Sequence, residues 1–285
     1  MRMKGNKLVA LVLHMVLALV ALVMLYPFLW MVFSSFKTNA EIVQNPLSLF
    51  PKAWSPVGYQ NIAVLGGNSI WHYFKNSVII AVSISCLTVL ATSLGGYALY
   101  RNRKLPFFNL IEKSFMVSMM YPAVLLLIPL YVVVVKMGLY GTNDFRGIIL
   151  ASSTGAWGAA LPFFLAKQFF ASVPYALIEA ATIDGANEMQ IFRRVMLPVM
   201  FPVLATSFLV SFLTSWGTWL PVLMLSKDMS TYTLAAMLVN LNSDLGVDLS
   251  QTAALSTVLT LPVVLVFLIT QRRVMDGIAA GSVKG

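Results

Sequence analysis

Charge is what this sequence has least of. Asp, Glu, Lys and Arg make up 10% of its 285 residues and hydrophobic residues 59%, whereas about a quarter of an ordinary soluble domain is charged. A chain this poor in charge cannot coat a water-soluble globule, so a soluble fold is excluded. Cysteine is nearly absent. Cys86 stands alone inside an apolar run, where it can form neither an intrachain disulfide nor a thiolate metal site, so redox chemistry is not expected. Acidic residues are scarcer than basic ones, ten against nineteen, and none falls inside a confident apolar run. That removes the buried carboxylates an ion-coupled secondary transporter uses. It also leaves an intramembrane hydrolase or acyltransferase with only His14 and Cys86 and no orienting acid. The chain has no Gly-x-x-x-x-Gly-Lys-Ser/Thr loop to cradle nucleotide phosphates, no low-complexity tract and no internal repeat. Its excess of positive charge, +9, sits at segment ends rather than in a patch interleaved with aromatics, so nucleic acid is not an expected partner.

What is present is apolar length. Crossing ~30 Å of hydrocarbon takes roughly 20 residues of helix, and a lipid setting makes helices the default because the backbone finds no water there. Six runs qualify, at 8–33, 76–99, 115–135, 148–170, 198–225 and 253–270, giving an all-α membrane protein that forms one membrane domain, 1–285. Arg2, Lys4 and Lys7 give the first run a signal-like start. It is nevertheless longer than a signal core and lacks a small-x-small cleavage site, so it is expected to be a retained span. If both termini are cytoplasmic, thirteen of the nineteen basic residues lie inside, as the positive-inside rule requires. The outer loops then cover 34–75, 138–146 and 226–251. Pro27, Pro122, Pro129, Pro162, Pro202, Pro221 and Pro262 mark spans where kinks are expected, which a bundle tolerates. His14 is expected to face the bundle with one hydrogen-bond partner, Trp71, His72 and Tyr73 to anchor the outer interface, and Gly95 and Gly96 to allow close helix packing.

One polar insert interrupts this pattern, "EAATIDGANEMQIFRRVMLP" from Glu179. Pro174 suits a first helical turn, and 174–183 reads as a short helix on which Ala180 and Ala181 give a shallow face beside Glu179. Asp184 and Gly185 end it, Gly185 supplying the freedom a sharp turn needs. Asn187 with Gln190 fits a capping box that opens a second helix. That helix continues through Arg193 and Arg194, expected to mark the inner membrane surface, into the fifth run.

The spacing Glu179, Ala180, Ala181, then Gly185, then Leu197 and Pro198, joined by Asp184, Ala186, Phe192 and Pro202, resembles the cytoplasmic signature of permease subunits in binding-protein-dependent ABC importers. "YPFLWMVFSSFKTNAEI" from Tyr26, "FKNSVIIAVSIS" from Phe74, "YALYRNRKLP" from Tyr97, "IPLYVVVVKMGLYGT" from Ile128 and "DGIAAGSVKG" from Asp276 extend the likeness over nearly the whole chain. Together they are similar to the carbohydrate-importing branch, and to the smaller permease of the maltose-type system.

The resemblance implies six transmembrane helices with a cytoplasmic coupling helix, the insert 174–197, between the fourth and fifth. Glu179 would meet a basic group on a separate ATPase, Ala180 and Ala181 would pack closely, Gly185 would make the turn, and Asp184 and Ala186 would complete the coupling set. Gly277, Gly281 and Lys284 would form a tail reaching toward the ATPase. The partners implied are a second homologous permease, two ATPase copies, an extracytoplasmic solute-binding protein and membrane lipid. The chain itself would bind no cofactor or metal, since ATP and Mg sit on the ATPase, and it would catalyse no reaction. The location implied is a bacterial or archaeal inner membrane, and the solute a sugar or oligosaccharide, with a polyol, phosphodiester or peptide as the alternative. "SWGTW", with Trp216, Thr218 and Trp219, is a possible substrate pathway. Trp216 and Trp219 are expected to share a helix face, although Gly217 and Trp219 depart from the Trp-Asn-x-Phe the family often has there.

Overall fold

The structure is a computed structural model that describes residues 7–153, 160–242 and 247–282. Four helices are long and apolar enough to cross a membrane, or up to six if each of two bent pairs is one span. The chain groups into two compact units, Met1–Ile70 with Leu238–Val264, and Trp71–Met237 with Leu265–Gly285.

In the first unit α1, Lys7–Ser34, opens on Lys7, has no basic residue in its last turn and holds Pro27 without breaking. None of its most apolar window is buried. His14 is exposed, and its Nδ1 lies 2.6 Å from the Ala10 carbonyl one turn back in the same helix. The loop that follows is held by rings, Phe33 on Phe50 at 4.8 Å and Phe36 on both Trp54 and Tyr59 at 5.4 and 5.1 Å. Lys37 is 1% exposed and donates from Nζ to the Ser48 carbonyl and hydroxyl. Two short helices, α2 (Asn39–Gln44) and α3 (Val57–Ile62), lead to a hairpin of β1 (Val64–Leu65) and β2 (Asn68–Ser69). Its turn, Gly66-Gly67, has positive φ at both residues, as a two-residue turn of this twist requires.

In the second unit the long helix α4, Ile70–Arg101, buries Tyr73, Ser77, Ile80, Ile84, Thr88, Thr92 and Gly96, a three-to-four-residue stripe that fixes one face inward. Ser77, Ser85 and Thr92 donate to carbonyls one turn back at 3.0, 2.7 and 2.8 Å, so their hydroxyls are satisfied inside the helix. Tyr73 is fully buried, and the His72 ring lies 2.6 Å from the Ser230 carbonyl. Of the expected interfacial trio only Trp71, 71% exposed, keeps an outward position; helical spacing turned the other two inward.

Two expected spans are broken. The run 115–135 is α5 (Pro106–Ser118) and α6 (Leu127–Lys136) at 112° to each other, with a 3-10 turn between. Pro122 opens that turn; it has no N–H to give a helix and pushes Tyr121 out of the helical region. The run 198–225 ends as a helix at Trp216, and Gly217 precedes the separate helix α11 (Leu220–Leu225), with Pro221 in its first turn. Of the run 148–170, α7 (Arg146–Ser153) and α8 (Ala160–Ser172) are described, and 154–159 lie outside the described residues. After α8 come the short helix α9 (Ala176–Ile183), the helix α10 from Glu188 to Trp216 with its π-turn Ile191–Met196, and α12 (Leu234–Leu241). The last helix, α13, runs Leu249–Ser282 through Pro262. Gly277 and Gly281 fall in its last turns, and Lys284 lies outside the described residues.

Candidate functional site: the elbow between α8 and α10

The insert folds as a helix, a turn and a helix because each local signal is used. α9 bends 73° away from α8 after Pro174. At its end the Ala186 N–H donates to the Ala181 carbonyl and the Gly185 N–H to the Thr182 carbonyl, both at 3.0 Å, a pairing that closes a helix through a left-handed residue. That residue is Gly185, φ +81°. The next helix begins with a reciprocal cap: Gln190 N–H donates to Asn187 Oδ1 and Asn187 N–H to Gln190 Oε1, each at 2.9 Å. Two of the orphan donors at the helix start are thereby satisfied.

The elbow has a buried underside and a bare rim. Ile178, Ile191 and Met196 are at most 1% exposed and join Tyr97, Tyr100, Phe170 and Phe192 in one apolar core. The rim carries Glu179, Ala180, Asp184 and Gly185, all exposed, with Ala181 and Ala186 half-buried behind them. Three large apolar side chains stand out from it, Ile183 at 85%, Met189 at 61% and Leu177 at 40% exposure. Polar residues around apolar knobs on a well-anchored base make a surface suited to another protein. Arg193 and Arg194 are exposed on the π-turn that follows.

A polar clamp, which residue spacing did not disclose, ties this elbow to the end of α4. Glu188 Oε1 accepts from Arg101 Nε and Nη2 at 2.9 and 2.8 Å, and Glu188 Oε2 accepts from the Tyr97 hydroxyl at 2.8 Å. Arg101 Nη1 also donates to the Tyr175 hydroxyl, and the Tyr100 hydroxyl donates to the Val173 carbonyl at 2.7 Å. Tyr97 and Arg101 are one turn apart on a single helix face, a signal that could have been read as a paired anchor. Glu188, 87 positions further on, carries no mark of its partner.

The sequence-proposed pathway residues are not brought together on one helix face. Trp216 is 2% exposed, packed edge-on to Phe74 at 5.7 Å and stacked on Phe212 at 5.8 Å. Trp219 lies beyond the Gly217 break and is 40% exposed. Thr218 is half-buried and donates to the Thr214 carbonyl at 3.1 Å. Among the described residues no three His, Cys, Asp or Glu side chains gather so as to hold a metal ion.

Residues 87–278, which run from within α4 into the last turns of α13 and contain the elbow and α10, match the family model described as "Binding-protein-dependent transport system inner membrane component". The chain is 31% identical over 269 residues to the inner membrane ABC transporter permease protein YcjP of Escherichia coli strain K12, covering 94% of each. It is 32% identical over 273 residues to the diacetylchitobiose uptake system permease protein NgcG of Streptomyces coelicolor, covering 94% of this chain and 87% of that one. In fold it is similar to a chain from the crystal structure of a bacterial ABC transporter involved in the import of the acidic polysaccharide alginate. The TM-score is 0.78 at 21% identity, over 95% of this chain and 98% of that one.

Proposed function

This chain belongs to the binding-protein-dependent transport system inner membrane component family, and from that premise we propose that it forms half of the translocation pathway of an ATP-driven importer for a sugar or oligosaccharide. The permease relatives include proteins named for diacetylchitobiose, arabinooligosaccharide and multiple-sugar transport, which supports the solute class. A second homologous permease completes the pathway, two copies of a separate ATPase power it, and an external binding protein delivers solute. The chain crosses a bacterial or archaeal inner membrane six times with both termini in the cytoplasm. The bent pair α5–α6 counts as one crossing, and α7 with α8 as another.

The observation that carries the reading is the elbow, whose rim is bare while its underside is locked into α4, α8 and α10. We assign the rim as the ATPase contact, with Glu179 meeting a basic group, Ala180 and Ala181 allowing close approach, and Asp184, Gly185 and Ala186 shaping the turn. Gly277, Gly281 and Lys284 are assigned to the ATPase side as well. Trp216, Thr218 and Trp219 remain assigned to the pathway wall, Trp216 through its packing. ATP binding favours one arrangement of the ATPase pair over the other, so the pair pulls the elbows and shifts the spans between outward and inward openings. ATP and Mg act on the ATPase; this chain's residues receive force.

The experiment is uptake by the complete importer in proteoliposomes. Glu179→Ala is expected to leave the assembled complex in the membrane while lowering solute transported per ATP hydrolysed. Unchanged uptake by the combined Glu179→Ala and Gly185→Val variant would remove the elbow from the coupling route.

A further inference from the structure

Beside the elbow's anchor, α4, α5, α7 and α8 enclose a crevice of about 290 Å³. Ala91, Gly95 and Leu99 form one wall, and Phe108, Phe115 and Phe163 the other, with the rings of Phe115 and Phe163 stacked at 4.2 Å. Two hydroxyls reach its lining, and both are used within their own helices. Thr92 donates to the Thr88 carbonyl at 2.8 Å and Ser153 to the Leu150 carbonyl at 3.2 Å. A sugar would bury its hydroxyls here without partners, at a penalty for each. A hydrocarbon chain would lose nothing.

The paired glycines of α4 differ in a way that concerns this space. A Cβ on Gly96 would stand 2.9 Å from the Phe170 ring, so close packing accounts for that glycine. A Cβ on Gly95 would meet nothing within 4 Å. Packing does not require the bare position at Gly95; it leaves the crevice open.

The crevice runs on into a cleft of about 200 Å³, with Leu99 and Phe163 common to both, and that cleft is lined by Arg103, Lys167 and Glu112. Lys167 is bonded to Glu112 at 2.5 Å. Arg103 pairs with no carboxylate among the described residues; its guanidinium rests over the rings of Tyr100 and Tyr175 at 5.2 and 4.9 Å. At 1.5 Å per residue, positions 91–99 lie roughly 3–15 Å along α4 from Arg101. The apolar crevice is therefore at acyl depth when the basic end of α4 is at headgroup level, where anionic lipids concentrate basic residues.

We propose that crevice and cleft together are a binding site for one anionic phospholipid, its acyl chain against Gly95 and its phosphate on Arg103. The inference needs only that the chain sits in a bilayer, and is independent of what the importer carries.

The test uses the complete importer in nanodiscs made of equal parts phosphatidylglycerol and phosphatidylcholine, with the lipid retained on the released complex read by native mass spectrometry. Phosphatidylglycerol is expected to be retained over phosphatidylcholine by about fivefold, the worth of one basic residue at an anionic lipid. Gly95→Leu or Ala91→Phe, whichever assembles, should abolish retention of both lipids, and Gly95→Ala should not. Arg103→Ala should equalise the two lipids while leaving retention itself. Retention unchanged by either blocking variant, preference unchanged by Arg103→Ala, or displacement of the lipid by transported sugar would each overturn the site.

Discussion

Changing Glu188 to Gln keeps the shape of the elbow's clamp and removes its charge. In the structure Glu188 takes two hydrogen bonds from Arg101 and one from Tyr97, all between 2.8 and 2.9 Å. Fully buried, charge-assisted bonds of this kind are worth about 1.5–3 kcal/mol each. The two ionic side chains are 30% and 57% exposed, so solvent screens them toward the surface-pair scale of about 0.2–1 kcal/mol. The clamp as a whole then holds about 1–2 kcal/mol, equivalent to a change of about 5- to 30-fold in how often the elbow is seated on α4. If the elbow is the ATPase contact proposed above, one that unseats that much more often gives up part of its stroke before α4 moves. Glu188→Gln and Arg101→Met should each lower solute transported per ATP in proteoliposomes severalfold. The double variant should be little worse than either single one, because the residues share one interaction. Charge reversal, Arg101→Glu with Glu188→Arg, should recover part of the loss. If the assembled single variants transport as much per ATP as the native importer, or if their losses simply add, the clamp has no part in transmission.

Gly185→Val places a branched side chain at φ +81°, where a non-glycine residue costs about 1–3 kcal/mol. No neighbour lies within 4 Å of the new Cβ, so strain alone acts. Gly185→Asn should retain more transport than Gly185→Val, and equal loss would refute a backbone cause. Asn187→Ala removes the reciprocal cap and should lower the thermal midpoint of the assembled complex by an amount equivalent to about 0.5–2 kcal/mol, with Asn187→Ser recovering most of it. Burial pushes the Lys37 ammonium below the usual lysine range, with Glu41 opposing. The unfolded chain therefore binds that proton more tightly, and stability should rise with pH between the lowered value and the ordinary one. Lys37→Met should flatten that rise in urea unfolding measured across alkaline pH.

Local signals were legible in the sequence where the chain interacts with its own neighbours. Asn187 with Gln190 and the turn glycine Gly185 are enough to describe the elbow, because caps and left-handed turns are decided within a few residues. The apolar runs gave the long helices for the same reason. Continuity was misread where a helix breaker sits in an apolar run: hydropathy does not register Pro122 or Gly217 as strongly as the backbone does. Sidedness failed at Trp71, His72 and Tyr73, where three neighbouring aromatics on a helix necessarily face three directions. Pairing at a distance was invisible. Arg101 and Glu188 meet only because the fold brings the last turn of α4 to the first turn of α10, and the open room at Gly95 depends on ring positions on two other helices.

The π-turn at Ile191–Met196 gives this arrangement a phase. Such a turn holds one residue more than an α-helix would use over the same rise, and each residue rotates the chain by about 100°. Remove one residue there and the helix would wind regularly with its two ends still in phase; add one instead to a regular stretch of α10, and Glu179 and its neighbours would swing by about 100° around the axis. Every motif would still be readable in the gene, and the knob would face away from its socket.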